Sequence, residues 1–186
     1  MAEPKKSIYQ RAGEWGIPFG LYLSCGAVVS IFADKVPVLS LLFFAIVIGT
    51  PFLVYHYQRY KFVEDDGFTE YAALWMLGIL LFILGSVISS LVVYLVLQLW
   101  RPEFMYEQAQ QVLEAYKGMP DMKDNEFLLV LQRMVDERLM PSPIQTVFNA
   151  FWFITFGGSV TSALTALFAQ RKIKPRDRKH WEKRIK

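Results

Sequence analysis

Four long runs of apolar residues constrain this chain more than any other feature. They extend from about Trp15 to Ala33, Val36 to Tyr57, Tyr71 to Leu99 and Ile144 to Ala169, and the charged side chains collect between and beyond them. A helix needs about 20 apolar residues to cross the hydrocarbon core of a bilayer, whereas spanning β-strands alternate apolar and polar residues over about ten positions. The runs therefore predict an all-α integral membrane protein with four transmembrane helices, in a single domain of 186 residues.

The basic residues near the ends of the runs predict the orientation. Nine of the twenty Lys and Arg lie in the tail 171–186, and others precede the first run and begin the second loop, 58–70. The third loop, 100–143, carries five basic and eight acidic residues. Because cytoplasmic segments are enriched in Lys and Arg, we expect both termini in the cytoplasm and the third loop outside.

The basic tail 171–186 has two interpretations. It is a topology signal, and it is also a candidate contact for anionic lipid beside the bilayer. No recognition motif accompanies it, so no nucleic-acid partner is expected.

The segment 102–140 predicts two amphipathic helices outside the membrane. Gly118-Met119-Pro120 separates two stretches whose apolar residues recur at helical spacing. We expect these helices to form an extracytoplasmic hairpin. Their apolar faces either pack on each other and on the span ends, or one face receives a partner or lies in the membrane interface. The candidate partner surface consists of Phe104, Tyr116, Phe127, Leu131 and Met134.

Small residues follow a helical spacing in the fourth run. Gly158, Ser162 and Ala166 recur every fourth position, and so do Gly157, Thr161 and Thr165. Small side chains let two helix backbones approach closely in a membrane. We expect these residues to pack on the third run or on a second copy of the chain.

The runs hold little that suggests chemistry. No Asp, Glu, Lys, Arg or His lies at mid-depth in them, although ion-coupled transporters keep such residues there. Asn149 and Ser159 are the candidates for a small polar cavity, and the simpler interpretation of Asn149 is a hydrogen bond to a neighbouring helix. One cysteine and two histidines offer few ligands for a transition metal. We predict no catalytic residue, no cofactor and no metal site.

An acidic cluster at 64–66 precedes Gly67, and we interpret it as a solvated turn. A divalent-cation site is one alternative, because hard cations bind clustered carboxylates. A membrane enzyme that uses His56 with one of these carboxylates is another.

Three stretches resemble a known family. They are Tyr60 to Tyr71 (YKFVEDDGFTEY), Leu99 to Phe104 (LWRPEF), and Phe156-Gly157-Gly158 with the basic stop Gln170-Arg171-Lys172. Together they are similar to the bacterial membrane family catalogued as domain of unknown function 4199, over nearly the whole chain. The resemblance implies a four-span inner-membrane protein, largely from Gram-negative bacteria. The family has no established activity, so the resemblance implies no functional residues.

These observations favour a non-enzymatic inner-membrane protein that scaffolds or modulates a membrane partner. The partner is a second copy of the chain or another membrane protein, reached through the outer helices or the tail. The alternative is a small transporter or channel subunit with a polar path along the fourth run.

Cysteine labelling tests the predicted orientation. With Cys25 replaced by serine, a cysteine at Asn125 should react with a membrane-impermeant reagent on intact cells. A cysteine at Lys183 should react only after permeabilisation, because the basic tail stays inside. External labelling at Lys183 would contradict cytoplasmic termini.

Overall fold

The computed structural model describes residues 6–116 and 126–171. Every regular element in these two ranges is a helix, and four of the helices are long and apolar enough to cross a membrane. In chain order the helices are α1 Ile8–Phe32, α2 Pro37–Glu64, α3 Tyr71–Leu99, α4 Phe104–Tyr116, α5 Glu126–Asp136 and α6 Pro143–Ala169. The prediction of an all-helical, multi-pass membrane protein is confirmed.

Two helices are longer than the apolar runs that predicted them, and local capping residues set their ends. The side chain of Ser7 accepts a hydrogen bond from the backbone N–H of Gln10, whose side chain accepts one from the N–H of Ser7. This capping box starts α1 about two turns before the apolar run. α2 continues to Glu64, where Asp66 and Gly67 take φ values of 56° and 87° and end the helix.

The four long helices form a bundle. α1 contacts α2 and α3, α6 contacts α3 and α2, and α2 also touches α3. The central apolar cluster includes Phe19 and Phe82, whose rings meet edge to face with centroids 5.2 Å apart. The start of α1 and the ends of α2 and α6 meet at what we call the Arg59 end. The turn between α1 and α2 and the start of α4 lie at the opposite, Arg101 end.

One small-residue face of α6 packs inside the bundle. Gly158, Ser162 and Ala166 are all buried. A Cβ added to Gly158 would overlap the ring of Phe82 on α3, and a Cβ added to Gly78 would overlap the hydroxyl of Ser162. The absence of these two side-chain atoms lets α3 and α6 approach closely, so the Gly158 face contacts the chain's own third span.

α4 and α5 lie between α3 and α6 in the sequence, and the two helices contact each other. α5 ends in a turn in which Arg138 takes φ 54° and the N–H of Leu139 donates to the carbonyl of Met134 at 2.8 Å. The predicted break at 118–120 lies outside the described residues. The extracytoplasmic position of these helices and their hairpin connection therefore stay predictions.

Gly158→Leu should lower the melting temperature of the purified protein in detergent. Its side chain would have to displace the ring of Phe82, and overpacking of this kind costs about 1–3 kcal/mol. Gly157→Leu is the matched control, because Gly157 is the adjacent residue and a Cβ there meets nothing within 4 Å. Equal melting temperatures for the two variants would contradict the close packing of α3 and α6 at Gly158.

Candidate functional site

A buried amide joins three helices near the Arg59 end. Gln58 Nε2 donates to the carbonyl of Leu74 at 3.1 Å and to the carbonyl and hydroxyl of Ser162 at 3.1 and 3.0 Å. The hydroxyl of Ser162 donates in turn to the carbonyl of Trp75 at 2.9 Å. Gln58 Oε1 is buried and has no hydrogen-bond partner among the described residues. The amide therefore holds α2, α3 and α6 together through one polar cluster.

Ion pairs connect α1 and α2 at the same end. Arg11 binds Glu64 through two nitrogens, and the distance from Nε to Oε2 is 3.0 Å. Lys61 Nζ lies 3.0 Å from Asp65 Oδ1 and 3.6 Å from Glu64 Oε2. The predicted turn is present at 65–67, but the interpretation of Glu64 and Asp65 as solvated is wrong, because both carboxylates are largely buried and bind cations.

Two cations of this end bind backbone carbonyls. Arg59 donates to the carbonyl of Ala169 at 2.8 Å, where α6 ends, and also to the carbonyl of Arg171. Lys61 donates to the carbonyl of Lys6 at 2.6 Å, just before α1 begins. These bonds satisfy carbonyl groups at chain positions that have few helical donors.

One buried arginine organises the opposite end. Arg101 Nη1 donates to the carbonyl of Ile31 at 3.0 Å, and its two terminal nitrogens bind the carboxylate of Asp34 at 3.1 and 3.0 Å. Glu107 of α4 binds the same guanidinium. The Arg101 Cζ atom lies 5.3 Å from the ring centroid of Phe104. Arg101 thus ties the α1–α2 turn, the end of α3 and the start of α4 together.

A largely apolar cavity of about 410 Å³ lies between the long helices toward the Arg101 end. Its walls include Ala27 of α1, Val47 of α2, Val93 of α3 and Ala150 of α6. Phe104 of α4 lines it near the Arg101 end. We call this space the α2–α6 cavity.

α5 exposes apolar side chains although it is not one of the four long helices. Phe127, Leu129 and Val130 are 66%, 55% and 56% exposed. Val135 is buried and, with Leu128, lines a second cavity of about 430 Å³ between α4 and α5. Leu129 also lines this cavity, so we call only Phe127 and Val130, which are neighbours on one side of α5, the α5 apolar face.

The predicted polar residues of α6 lie apart from the α2–α6 cavity. The hydroxyls of Thr161 and Thr165 donate to carbonyls within α6 at 2.9 and 3.0 Å. Asn149 is exposed, and the carbonyl of Ser159 accepts a hydrogen bond from Trp75 Nε1 at 3.1 Å. Neither Asn149 nor Ser159 lines the α2–α6 cavity, and a polar cavity at these two residues stays a prediction.

The predicted partner surface is divided by the fold. Phe104 packs against the apolar cluster around Ile31 at the Arg101 end. Leu131 and Met134 are half-buried, whereas Tyr116 and Phe127 are exposed. The structure thus turns Phe104 toward the bundle and leaves Tyr116 and Phe127 accessible.

The sequence of the bundle matches a family model. The family described as "Protein of unknown function (DUF4199)" matches residues 14–171. The chain belongs to the DUF4199 family. The matched region takes in the buried cluster of Gln58, the Arg101 contacts and the α5 apolar face, and the DUF4199 match ends before residues 172–186. No curated protein and no solved structure matches the chain.

Sequence reasoning missed two organising residues of this DUF4199 domain. It places Gln58 in a loop, because the apolar run stops at Tyr57, although Gln58 follows the buried Val54 by one helical turn. It notes Arg101 as a loop charge and as part of the stretch LWRPEF, and assigns it no partner. Asp34 follows the first run and Arg101 follows the third, and successive runs cross the membrane in opposite directions. Both residues must therefore lie on the same side of the membrane, and this was the available signal for their pairing.

Asp34→Asn should lower the melting temperature at neutral pH more than Glu107→Gln. Both variants remove a carboxylate that binds Arg101, but the Asp34 side chain is 9% exposed and that of Glu107 is 42% exposed. Loss of a partner by a buried polar group costs about 1–3 kcal/mol, whereas an exposed ion pair contributes about 0–1 kcal/mol. Equal effects would contradict the view that Asp34 is the main partner of Arg101.

The stability difference between wild type and Asp34→Asn should depend on pH. Hydrogen bonds from Arg101 lower the pKa of the Asp34 carboxyl below its ordinary value, although desolvation acts in the opposite direction. The stabilisation is therefore fully present above the unfolded pKa of about 3.9 and is lost as pH falls through the lowered folded pKa. The stability difference between wild type and Asp34→Asn should be constant near neutrality and should shrink in acid. A difference that persists in strong acid would show that it does not come from this carboxylate.

Proposed function

We propose that this DUF4199 protein is a non-enzymatic scaffold or modulator of a membrane partner. The observation that carries the proposal is the α5 apolar face. Exposed apolar residues on the long helices are expected to contact lipid, but α5 has only 11 residues, and about 20 are needed to span the hydrocarbon core. A cluster of exposed apolar side chains outside the spanning helices is typical of an interaction surface.

The position of α5 favours a partner that is itself a membrane protein. Only the short segment 137–142 separates α5 from Pro143, where α6 begins, so α5 lies beside the end of a spanning helix. α5 contacts α4, and α4 is held to the bundle by Phe104, which packs on the apolar cluster around Ile31, as well as by the pair of Glu107 with Arg101. A partner bound at α5 would therefore contact a surface fixed to the bundle rather than a free segment.

We propose further that both termini are cytoplasmic and that the membrane is the bacterial inner membrane. The hydrogen bonds described above bring Lys6, Arg11, Arg59, Lys61 and Arg171 to one end of the bundle. An end rich in Lys and Arg is favoured on the cytoplasmic side. In this orientation α4 and α5 lie outside the cytoplasm, where an extracytoplasmic partner domain could reach them.

A small transporter or channel subunit is the alternative. It requires a polar path along α6, for which Asn149 and the α6 hydroxyls are the candidates. Thr161 and Thr165 direct their hydroxyls to carbonyls of their own helix, and Ser162 bonds to α2 and α3. These contacts support a packing role for the polar residues of α6, so we place the scaffold first.

Photo-crosslinking in living cells tests the scaffold proposal. A photoreactive phenylalanine analogue placed at Val130 should yield a discrete adduct with another membrane protein, because this side chain is exposed on the α5 apolar face. The adduct is detected as a gel shift and identified by mass spectrometry. An adduct with a second copy of the chain would identify a homodimer as the partner.

Leu41 provides the matched control for this experiment. It is 72% exposed on α2 and should contact lipid, so the same analogue there should give lipid adducts only. If Val130 also gives lipid adducts only, α5 lies in the membrane interface and the scaffold proposal loses its surface.

A further inference from the structure

The α2–α6 cavity is bounded by helix contacts on all sides but one. α1 contacts α2 and α3, and α3 contacts α6. The wall between α1 and α2 is tight, because the hydroxyl of Tyr22 donates to the carbonyl of Ile46 at 2.6 Å. A Cβ added to Gly26 would lie 2.8 Å from Ile46 Cγ2. α2 and α6 meet at the Arg59 end through Gln58 and Arg59, so the remaining gap lies between α6 and the part of α2 that precedes Pro51.

That gap exists because α2 buries side chains in the bundle only after Pro51, although its earlier part touches α1 at Ile46. The buried residues of α2 all follow Pro51, namely Val54, Gln58, Arg59, Lys61, Phe62 and Val63. In the part that lines the cavity, Val47 is 48% exposed, and Phe153 on α6 is 81% exposed. The cavity therefore opens sideways between two spanning helices, into the hydrocarbon layer.

Three of the five hydroxyls on the walls donate within their own helix segments. Ser30 Oγ donates to the carbonyl of Ala27 at 2.7 Å, and Thr50 Oγ1 donates to the carbonyl of Ile46 at 2.9 Å. Thr146 Oγ1 likewise donates within its own helix segment, at 3.2 Å. Ser89 and Ser90 of α3 add two further hydroxyls to walls that are otherwise largely apolar. A cavity with such walls takes apolar ligands.

We propose that the α2–α6 cavity binds one acyl chain of a phospholipid from the leaflet at the Arg101 end. The wall on α1 extends from Leu23 to Ile31, which is about 12 Å at 1.5 Å per residue. The hydrocarbon core is about 30 Å thick, or about 15 Å for each leaflet. The cavity therefore has the depth of a chain in one leaflet and does not cross the membrane.

The acyl chain of the lipid, rather than the charge of its headgroup, should determine the affinity. Among the described residues, the guanidinium of Arg101 is the buried cation at this end, and Asp34 and Glu107 already bind it. It is thus not available to an anionic headgroup. Phosphatidylcholine and phosphatidylglycerol with the same acyl chains should be retained equally well.

Native mass spectrometry after detergent extraction tests the proposal. Full-length protein reconstituted in dioleoyl phosphatidylcholine vesicles and extracted again should retain one phospholipid per chain. Ala150→Phe fills the cavity from α6 and should lose this lipid. Ala45→Phe is the matched control, because Ala45 is exposed on α2 beside the cavity-lining Val47 but does not line the cavity itself, and it should retain the lipid.

A second variant, Ala27→Leu, fills the cavity from α1, so the proposal can still be tested if Ala150→Phe does not fold. Melting temperature in detergent identifies the folded variants. Loss of lipid in a folded filling variant, with retention in Ala45→Phe, would support the acyl-chain site. Retention in every folded filling variant would overturn it, as would a wild-type chain that retains no lipid or retains a free fatty acid instead. A strong preference for phosphatidylglycerol would overturn the assignment of affinity to the acyl chain.

Discussion

The hydrocarbon core offers a polar group no partner other than the protein itself, and the structure of this bundle depends on that constraint. It requires every crossing segment to be a helix, because only a helix satisfies its own backbone. It also removes the hydrophobic driving force between helices, since lipid tails are as apolar as leucine. Association must then come from close contact and internal hydrogen bonds. Gly78 and Gly158 provide the contact, and the amide of Gln58 provides the bonds.

Charge is confined to the two ends of the bundle and is used differently at each. At the Arg59 end several cations bind carboxylates and backbone carbonyls at or next to helix termini, so the polar contacts are distributed over α1, α2 and α6. At the Arg101 end a single guanidinium serves three segments. Buried ion pairs often add little net stability, but removal of one partner is costly. We therefore regard Arg101 as a residue that specifies where α4 begins more than one that adds stability.

The sequence predicted the number and place of the long helices well, because hydropathy reports the constraint that the bilayer imposes on each segment separately. It could not predict which side chains meet between segments. Gly157 and Gly158 fit the small-residue pattern equally, and only the position of Phe82 distinguishes the buried glycine from the exposed one. Gln58 and Arg101 look like ordinary loop residues, because their roles depend on Ser162 and Asp34, which are distant in sequence. The α2–α6 cavity has no local signal, since it results from how α2 is docked.

Pro51 divides α2 into two segments that are packed differently against the bundle. Pro51 has no N–H to bond to the carbonyl of Val47, and it lies just before the first buried residue of the helix, Val54. The segment after Pro51 buries six side chains in the bundle, whereas the segment 37–50 touches α1 at Ile46 and has no fully buried side chain. Spanning helices respond to a change in bilayer thickness by tilting, and the segment 37–50 is held by fewer buried side chains than the segment after Pro51. A tilt of the segment 37–50 would therefore change the width of the gap beside α6.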